Sequence, residues 1–150
     1  MSSTRIHVHI NAKPAAVYAA LISAEAVGRW MVPDGMTSHV HLFEGRPGGR
    51  FRISLTYDAP DARGKSSAHT DTYHGRFVEL VPNAKVVQVS EFETEDPAMR
   101  GEMMISFTLT GAEGGTDLLA VHENLPSGIS AADNELGWRM SLGKLARLVE

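Results

Sequence analysis

The sequence predicts an α+β fold in which an antiparallel sheet packs against one long C-terminal helix. Three observations carry that expectation. Polar and apolar residues alternate from about residue 36 to about residue 124, and only turn-forming residues interrupt the runs. No helical period intervenes across that span. The period then changes, with Trp138, Leu142, Leu145 and Val149 recurring at helical spacing.

The elements follow in order. "TRIHVHI" places Ile6, Val8 and Ile10 on one side and Arg5, His7 and His9 on the other, which predicts a half-buried first strand. In "NAKPAAVYAALISAEAVGRW", Asn11 can cap, Pro14 suits a first helical turn, and Val17, Leu21 and Ile22 set a short helix or a broken pair. Pro33, Asp34 and Gly35 stop it before "TSHVHLF" resumes the alternation. The turn "EGRPGG" leads into "RFRISLTYD", where Phe51, Ile53, Leu55 and Tyr57 form an apolar face. "APDARGKSS" reads as a loop, "TDTYHGRFVEL" as a strand, "VPNA" as a turn and "KVVQVSEF" as a strand. "ETEDPAMRG" reads as an acidic hairpin loop, "EMMISFTLT" and "TDLLAVHEN" as strands joined by "GAEGG", and the closing helix starts at Ser130 or Asp133. No internal repeat or linker divides the chain, so residues 1–150 are expected to form a single domain.

Bulk composition excludes several classes of function. At 43% hydrophobic and 21% charged the chain is too apolar for disorder. Fourteen Lys and Arg against eighteen Asp and Glu give a net charge of -4 with no basic block, which argues against nucleic acid as a partner. There is no cysteine, so disulfides, zinc knuckles and thiol nucleophiles are out. The longest apolar run, "AAVYAALI", is too short to span a membrane, and the N-terminus has no signal-type core, so the cytoplasm is the expected location.

Particular stretches identify a family resemblance. "AVYAALISAEAVGRWMVPDGM", "RPGGRFRISLTY", "GKSS" with "TDTYHGRFVELVPNAKVV", "GEMMISFTLT", "GGTDLLAVHENLP" and "GWRMSLGKLARLVE" resemble the SRPBCC superfamily (START, polyketide cyclase and Bet v 1-like). Within it the chain is similar to bacterial proteins like the C-terminal domain of the activator of the 90-kDa heat-shock protein's ATPase. The pattern from Trp30 through Gly48, Gly49, Gly75 and Pro82 to Trp138 carries that likeness. The resemblance implies a helix-grip fold: a curved antiparallel sheet wrapped around the C-terminal helix, with short helices after the first strand and a cavity at one end. Fold alone does not name a function, since relatives bind lipids, hormones and polyketides, and a few are enzymes.

A cavity there would be lined by Trp30, Met36, Phe51, Tyr57, Tyr73, Phe92, Met104, Trp138 and Leu142. Trp30 and Trp138 would form two of its walls or pack as core. Met31, Met103 and Met140 would adapt to irregular space. Tyr57 and Tyr73 would be its polar anchors, while Arg52, His74, Glu102 and His122 alternate with core residues and are expected to face out.

"HVHI" and "HVHL" concentrate four of the seven histidines and raise the question of a metal. The resemblance puts the first and second strands toward opposite ends of the sheet, so His7 and His9 need not face His39 and His41, and no metal or cofactor is expected. "RPGG" lacks the Lys and Ser/Thr of a phosphate loop, the carboxylates of "EFETEDP" sit in a hairpin loop, and no nucleophile motif or dinucleotide fingerprint is present. No catalytic motif declares an enzyme.

The leading expectation is therefore a protein that holds a hydrophobic or aromatic small molecule between sheet and helix. One alternative is a chaperone-associated protein of the ATPase-activator type. Against it, the resemblance starts within the first ten residues and leaves no room for the extra N-terminal domain that eukaryotic activators use. The other alternative is a cyclase- or hydrolase-like enzyme built on the same cavity. A homodimer through an open sheet edge fits all three.

Overall fold

In the computed structural model, residues 2–58 and 70–150 are described. Seven strands form one antiparallel sheet: β1 (Ser2–Ile10), β2 (Met36–Phe43), β3 (Arg50–Tyr57), β4 (Thr70–Val81), β5 (Lys85–Phe92), β6 (Met103–Ala112) and β7 (Gly115–Leu125). Their order is β1-β7-β6-β5-β4-β3-β2, so β2 to β7 are consecutive hairpins and β1 closes against β7. Two short helices, α1 (Pro14–Leu21) and α2 (Ala24–Trp30), follow β1, a single 3-10 turn covers Pro97–Met99, and α3 (Ala131–Val149) ends the chain. This is the α+β helix-grip architecture. The loop read at "APDARGKSS" lies outside the described residues.

Local chemistry explains the boundaries. Pro14 does occupy the first turn of α1, but the cap is Lys13 without a side-chain bond, not Asn11. Asn11 instead donates its backbone N–H to Glu150 Oε2 at 3.0 Å, tying the end of β1 to the end of α3. The helical stretch is a broken pair because Ser23 caps a second helix, its hydroxyl accepting from the Ala26 N–H. Of the two candidate starts for α3, Ser130 is the cap; its Oγ accepts from the Asp133 N–H at 3.1 Å.

The curvature that the sheet needs is written partly in glycine. At Gly75 a Cβ would collide with the Val89 carbonyl and come within 2.8 Å of Phe51 Cζ. Gly48, at φ +75°, serves the turn before β3 with a backbone that other residues rarely adopt. Near these positions Phe43, Phe51 and Phe77 stack with centroids 5.4 to 6.4 Å apart.

The core lies under the C-terminal half of α3. Leu142 and Leu145 are buried there with Ile6, Ile10, Val17, Leu21, Val27, Phe107 and Leu118. Trp30 is fully buried among them, its ring edge-on to Phe107 at 6.1 Å and its indole N–H donated to the Ala20 carbonyl at 2.9 Å. The buried amine thus has its partner. β1 and β2 occupy the two opposite edges of the sheet, so the two HVH segments stand apart. His9 Nδ1 lies 2.9 Å from Asp117 Oδ1, and His41 Nε2 lies 2.8 Å from Ser54 Oγ. Among the described residues no helix is long and apolar enough to cross a membrane.

Candidate functional site

A cavity of about 500 Å³ opens between the concave face of the sheet and the N-terminal half of α3. Cavities for small ligands commonly span about 300–1,000 Å³. The α2–β2 segment supplies Met31, Pro33, Asp34 and Met36 to its wall; β3 supplies Leu55 and Tyr57, and β4 supplies Asp71 and Tyr73. From the middle of the sheet come Gln88, Ser90 and Phe92 of β5, Met103 and Ile105 of β6, and His122 of β7. The lid side is α3 and its approach, with Ile129, Asn134, Leu136, Gly137, Trp138, Met140 and Ser141 among its contributors. Leu136 is 56% exposed and marks an apolar rim at the opening.

The register explains why these side chains meet. Phe77 of β4, Gln88 of β5, Ile105 of β6 and His122 of β7 are successive cross-strand partners, and therefore form one row on one face. The parallel row one pair along joins Gly75, Ser90 and Met103. The segment between α2 and β2 is held over the rim by Lys144, whose Nζ donates to the Val32 carbonyl at 2.6 Å and lies 3.2 Å from Asp34 Oδ1.

His122 is the inward exception to the expectation that it faces solvent. Both parities of β7 carry apolar residues, Leu118 and Ala120 on one side and Leu119 and Val121 on the other, so alternation alone could not choose between them. Pairing with Ile105 turns His122 inward, where it is only 6% exposed. The indole N–H of Trp138 donates to His122 Nδ1 at 2.9 Å, and Asn134 Nδ2 stands 3.3 Å from the same nitrogen. Indole can only donate, so Nδ1 is unprotonated and the ring carries its proton on Nε2, which points at Met103 Sδ at 3.1 Å. Burial disfavours the imidazolium and lowers the His122 pKa to about 4.

Tyr73 is buried as well; its hydroxyl reaches Met31 Sδ at 3.5 Å, and burial pushes its pKa well above the ordinary phenol value. Arg52, His74 and Glu102 do face outward. Arg52 forms two bonds to Glu93, at 2.8 and 2.9 Å, and His74 bridges Glu93 and Glu91 at 3.0 and 3.2 Å. The Arg52 guanidinium holds the Glu93 pKa down at about 2. Two carboxylates of "EFETEDP" are thus engaged on the convex face rather than free in a loop. Glu102 lies 3.5 Å from Arg76.

Of the residues expected to line the cavity, Met36, Tyr57, Tyr73, Phe92 and Trp138 stand on its wall, with Met31, Met103 and Met140 beside them. Four lie elsewhere. Trp30, Phe51 and Leu142 are buried in packed core away from the opening, because α1, α2 and the phenylalanine stack fill that space. Met104 points to the outer face at 36% exposure, since the parity of β6 that faces in is Met103, Ile105 and Phe107. Polar wall residues that alternation could not single out are Asp71, Gln88, Ser90 and Ser141, each at least nine-tenths buried. In β5 each parity holds two apolar residues, Val87 and Val89 on one and Val86 and Phe92 on the other, so alternation could not choose the face; Val86, Gln88, Ser90 and Phe92 turn inward.

Comparison with known proteins agrees with this geometry. The family model for Activator of Hsp90 ATPase homolog 1-like protein matches residues 11–150. A crystal structure of a protein from Chromobacterium violaceum is 31% identical, with a TM-score of 0.88 over 99% of this chain and 96% of that one. A solution structure of the Aha1 dimer from Colwellia psychrerythraea superposes with a TM-score of 0.69 at 20% identity, covering 100% of this chain and 97% of that one. An AHSA1-like protein from Aeromonas hydrophila gives 0.70 at 17% identity, over 99% and 92% of the two chains. No curated protein matches the sequence. With its matched residues spanning nearly the whole chain, the protein belongs to the family of Activator of Hsp90 ATPase homolog 1-like proteins, within the SRPBCC superfamily.

Proposed function

We propose that this protein binds a small apolar or aromatic molecule in the cavity between the sheet and α3. The observation that carries the reading is the cavity itself: about 500 Å³ bounded by Met, Leu, Ile, Tyr, Phe and Trp side chains, with a few buried polar groups set among them. A folded chain of this size can fill such a space with side chains, as it does around Trp30, and close packing is the norm in protein interiors.

The test is uptake of N-phenyl-1-naphthylamine by fluorescence, followed by a thermal-shift screen of fatty acids, flavonoids, sterols and polyketide-like aromatics. A ligand at about 100 times its dissociation constant adds roughly 2.7 kcal/mol of stability. Gly137→Phe places a ring into the cavity from α3, and a Cβ there meets only Pro33 Cγ, at 3.8 Å. That variant is expected to fold as well as wild type or better, because glycine inside a helix costs about 1 kcal/mol, and to lose dye uptake. Equal uptake by Gly137→Phe and wild type would sink the reading.

A second reading, association with a 90-kDa heat-shock protein, is favoured by the description of the family model. It predicts that the purified protein changes the ATPase rate of its host's chaperone. No change at saturating concentration overturns it. The Colwellia relative is described as a dimer, and the exposed edges β1 and β2 suit self-association. Native mass spectrometry across a concentration series should then show a dimer; monomer throughout would refute it. The chain is also expected to unfold in one cooperative transition, as a single domain would.

A further inference from the structure

Gln88 has no counterpart among the packed residues of the core. It is 3% exposed, it stands on the cavity wall, and its side-chain amide makes no hydrogen bond to the protein among the described residues. Ser90, two residues along on the same face, is also 3% exposed and on the wall, and its hydroxyl likewise makes no such bond. Both side chains border the open cavity, so their hydrogen-bonding capacity is available to whatever occupies it. Valine stands at positions 86, 87 and 89 of the same strand, so an apolar residue would suit the strand itself.

The neighbours cannot relieve Gln88. Its cross-strand partners are Phe77 and Ile105, which have no polar side-chain atoms. The next residue in the row, His122, already has Nδ1 engaged by Trp138 and Nε2 directed at Met103. What remains is a primary amide, a donor and an acceptor side by side, facing the cavity. Carboxylates stand on the wall at Asp34 and Asp133, and like charge disfavours a carboxylate or phosphate beside them.

We propose that Gln88, with Ser90 beside it, is a polar subsite that selects a neutral, planar ligand bearing an N–H next to a carbonyl, the lactam class, by pairing both groups at once. The proposal rests on the cavity reading above and adds the chemistry of the ligand to it. Discrimination of this kind is strong because an occupant lacking the donor leaves the buried amide half paired.

The probes are 6(5H)-phenanthridinone and its N-methyl derivative, titrated into wild type and Gln88→Met. Wild type should bind the lactam at least about tenfold more tightly than the N-methyl form. Gln88→Met should bind the two within about twofold of each other and, without ligand, melt no lower than wild type. A preference that persists in Gln88→Met would assign it to the bulk of the methyl group and overturn the subsite. So would a marked loss of melting temperature in Gln88→Met, since the amide would then have a structural partner. If wild type takes up N-phenyl-1-naphthylamine but binds both lactams equally or neither, the subsite is wrong while the cavity reading stands. If wild type takes up neither dye nor lactam, the cavity reading falls.

Discussion

The two halves of α3 meet the same sheet with opposite results. At the C-terminal half, Leu142 and Leu145 press on Ile6, Ile10, Val17, Leu21 and Trp30, and the space is filled. At the N-terminal half, Asn134, Gly137, Trp138 and Ser141 look across about 500 Å³ at Gln88, Ser90 and His122. The difference lies in what else reaches the interface. α1 and α2 plug the first end, whereas the second end is walled by the Met31–Met36 segment and held at one corner by Lys144. One helix on a curved sheet does not determine whether a pocket exists; the short helices do. Trp138 sits between the halves, 5.7 Å from Phe107 on the packed side and bonded to His122 on the other.

The sharpest way to break that comparison is truncation in the filled half. Trp30→Ala removes a fully buried ring and leaves the Ala20 carbonyl without its donor. A loss of about 3–5 kcal/mol is expected in denaturant unfolding. A loss below about 1 kcal/mol would mean the packed end is not what holds the fold.

Next is the acid response of the hollow half. The His122 pKa is lowered in the folded protein from 6.5 to about 4, so the unfolded chain binds more protons between those values. The contribution is fully present above about pH 6.5 and is lost as pH falls toward 4, by on the order of 3 kcal/mol. Glu93, whose pKa is held down at about 2, contributes in a lower window: its share is present above about 4.5 and is lost as pH falls through 2. Stability measured from pH 7 to pH 4.5 covers the His122 window, which His41, its pKa also lowered by burial, shares, so His122→Gln should reduce that slope. An unchanged slope would refute the buried neutral histidine.

Met36→Ala sharpens the contrast from the cavity side. Met36 is half-buried and borders empty space, so its truncation should cost roughly 1 kcal/mol or less. It should nevertheless change the affinity for N-phenyl-1-naphthylamine, and a stability loss as large as that of Trp30→Ala would erase the distinction between the two ends. The smallest effect belongs to the convex face: Arg52→Met breaks an exposed pair with Glu93 and should cost about 0–1 kcal/mol. Dye uptake should not move at all, because Arg52 lies on the side of the sheet away from the cavity.

Much of this architecture was legible in the chain itself. Period-two alternation located the strands, and the Trp138, Leu142, Leu145, Val149 stripe located the last helix, whose start stood between Ser130 and Asp133 until the structure chose Ser130. Side-chain facing was less legible. Met104 and His122 were each assigned to the wrong face, because Met103 and Met104 are equally apolar and β7 is apolar on both parities. Asn11 looked like a cap, yet its backbone amide was taken by Glu150. Local pattern carries no information about such long-range partners.

By itself the sequence determined the order and type of the elements, the lack of cysteine and the lack of any run of basic residues, since these follow from composition and from periods that a few neighbouring residues set. Only the tertiary structure decided which face of β5 turns inward, that Trp30 fills one end while Trp138 borders the other, and that His122, Ser90 and Gln88 share a wall. Those outcomes depend on register between strands far apart in the chain and on where α1 and α2 come to rest, and a one-residue change of register would reverse them.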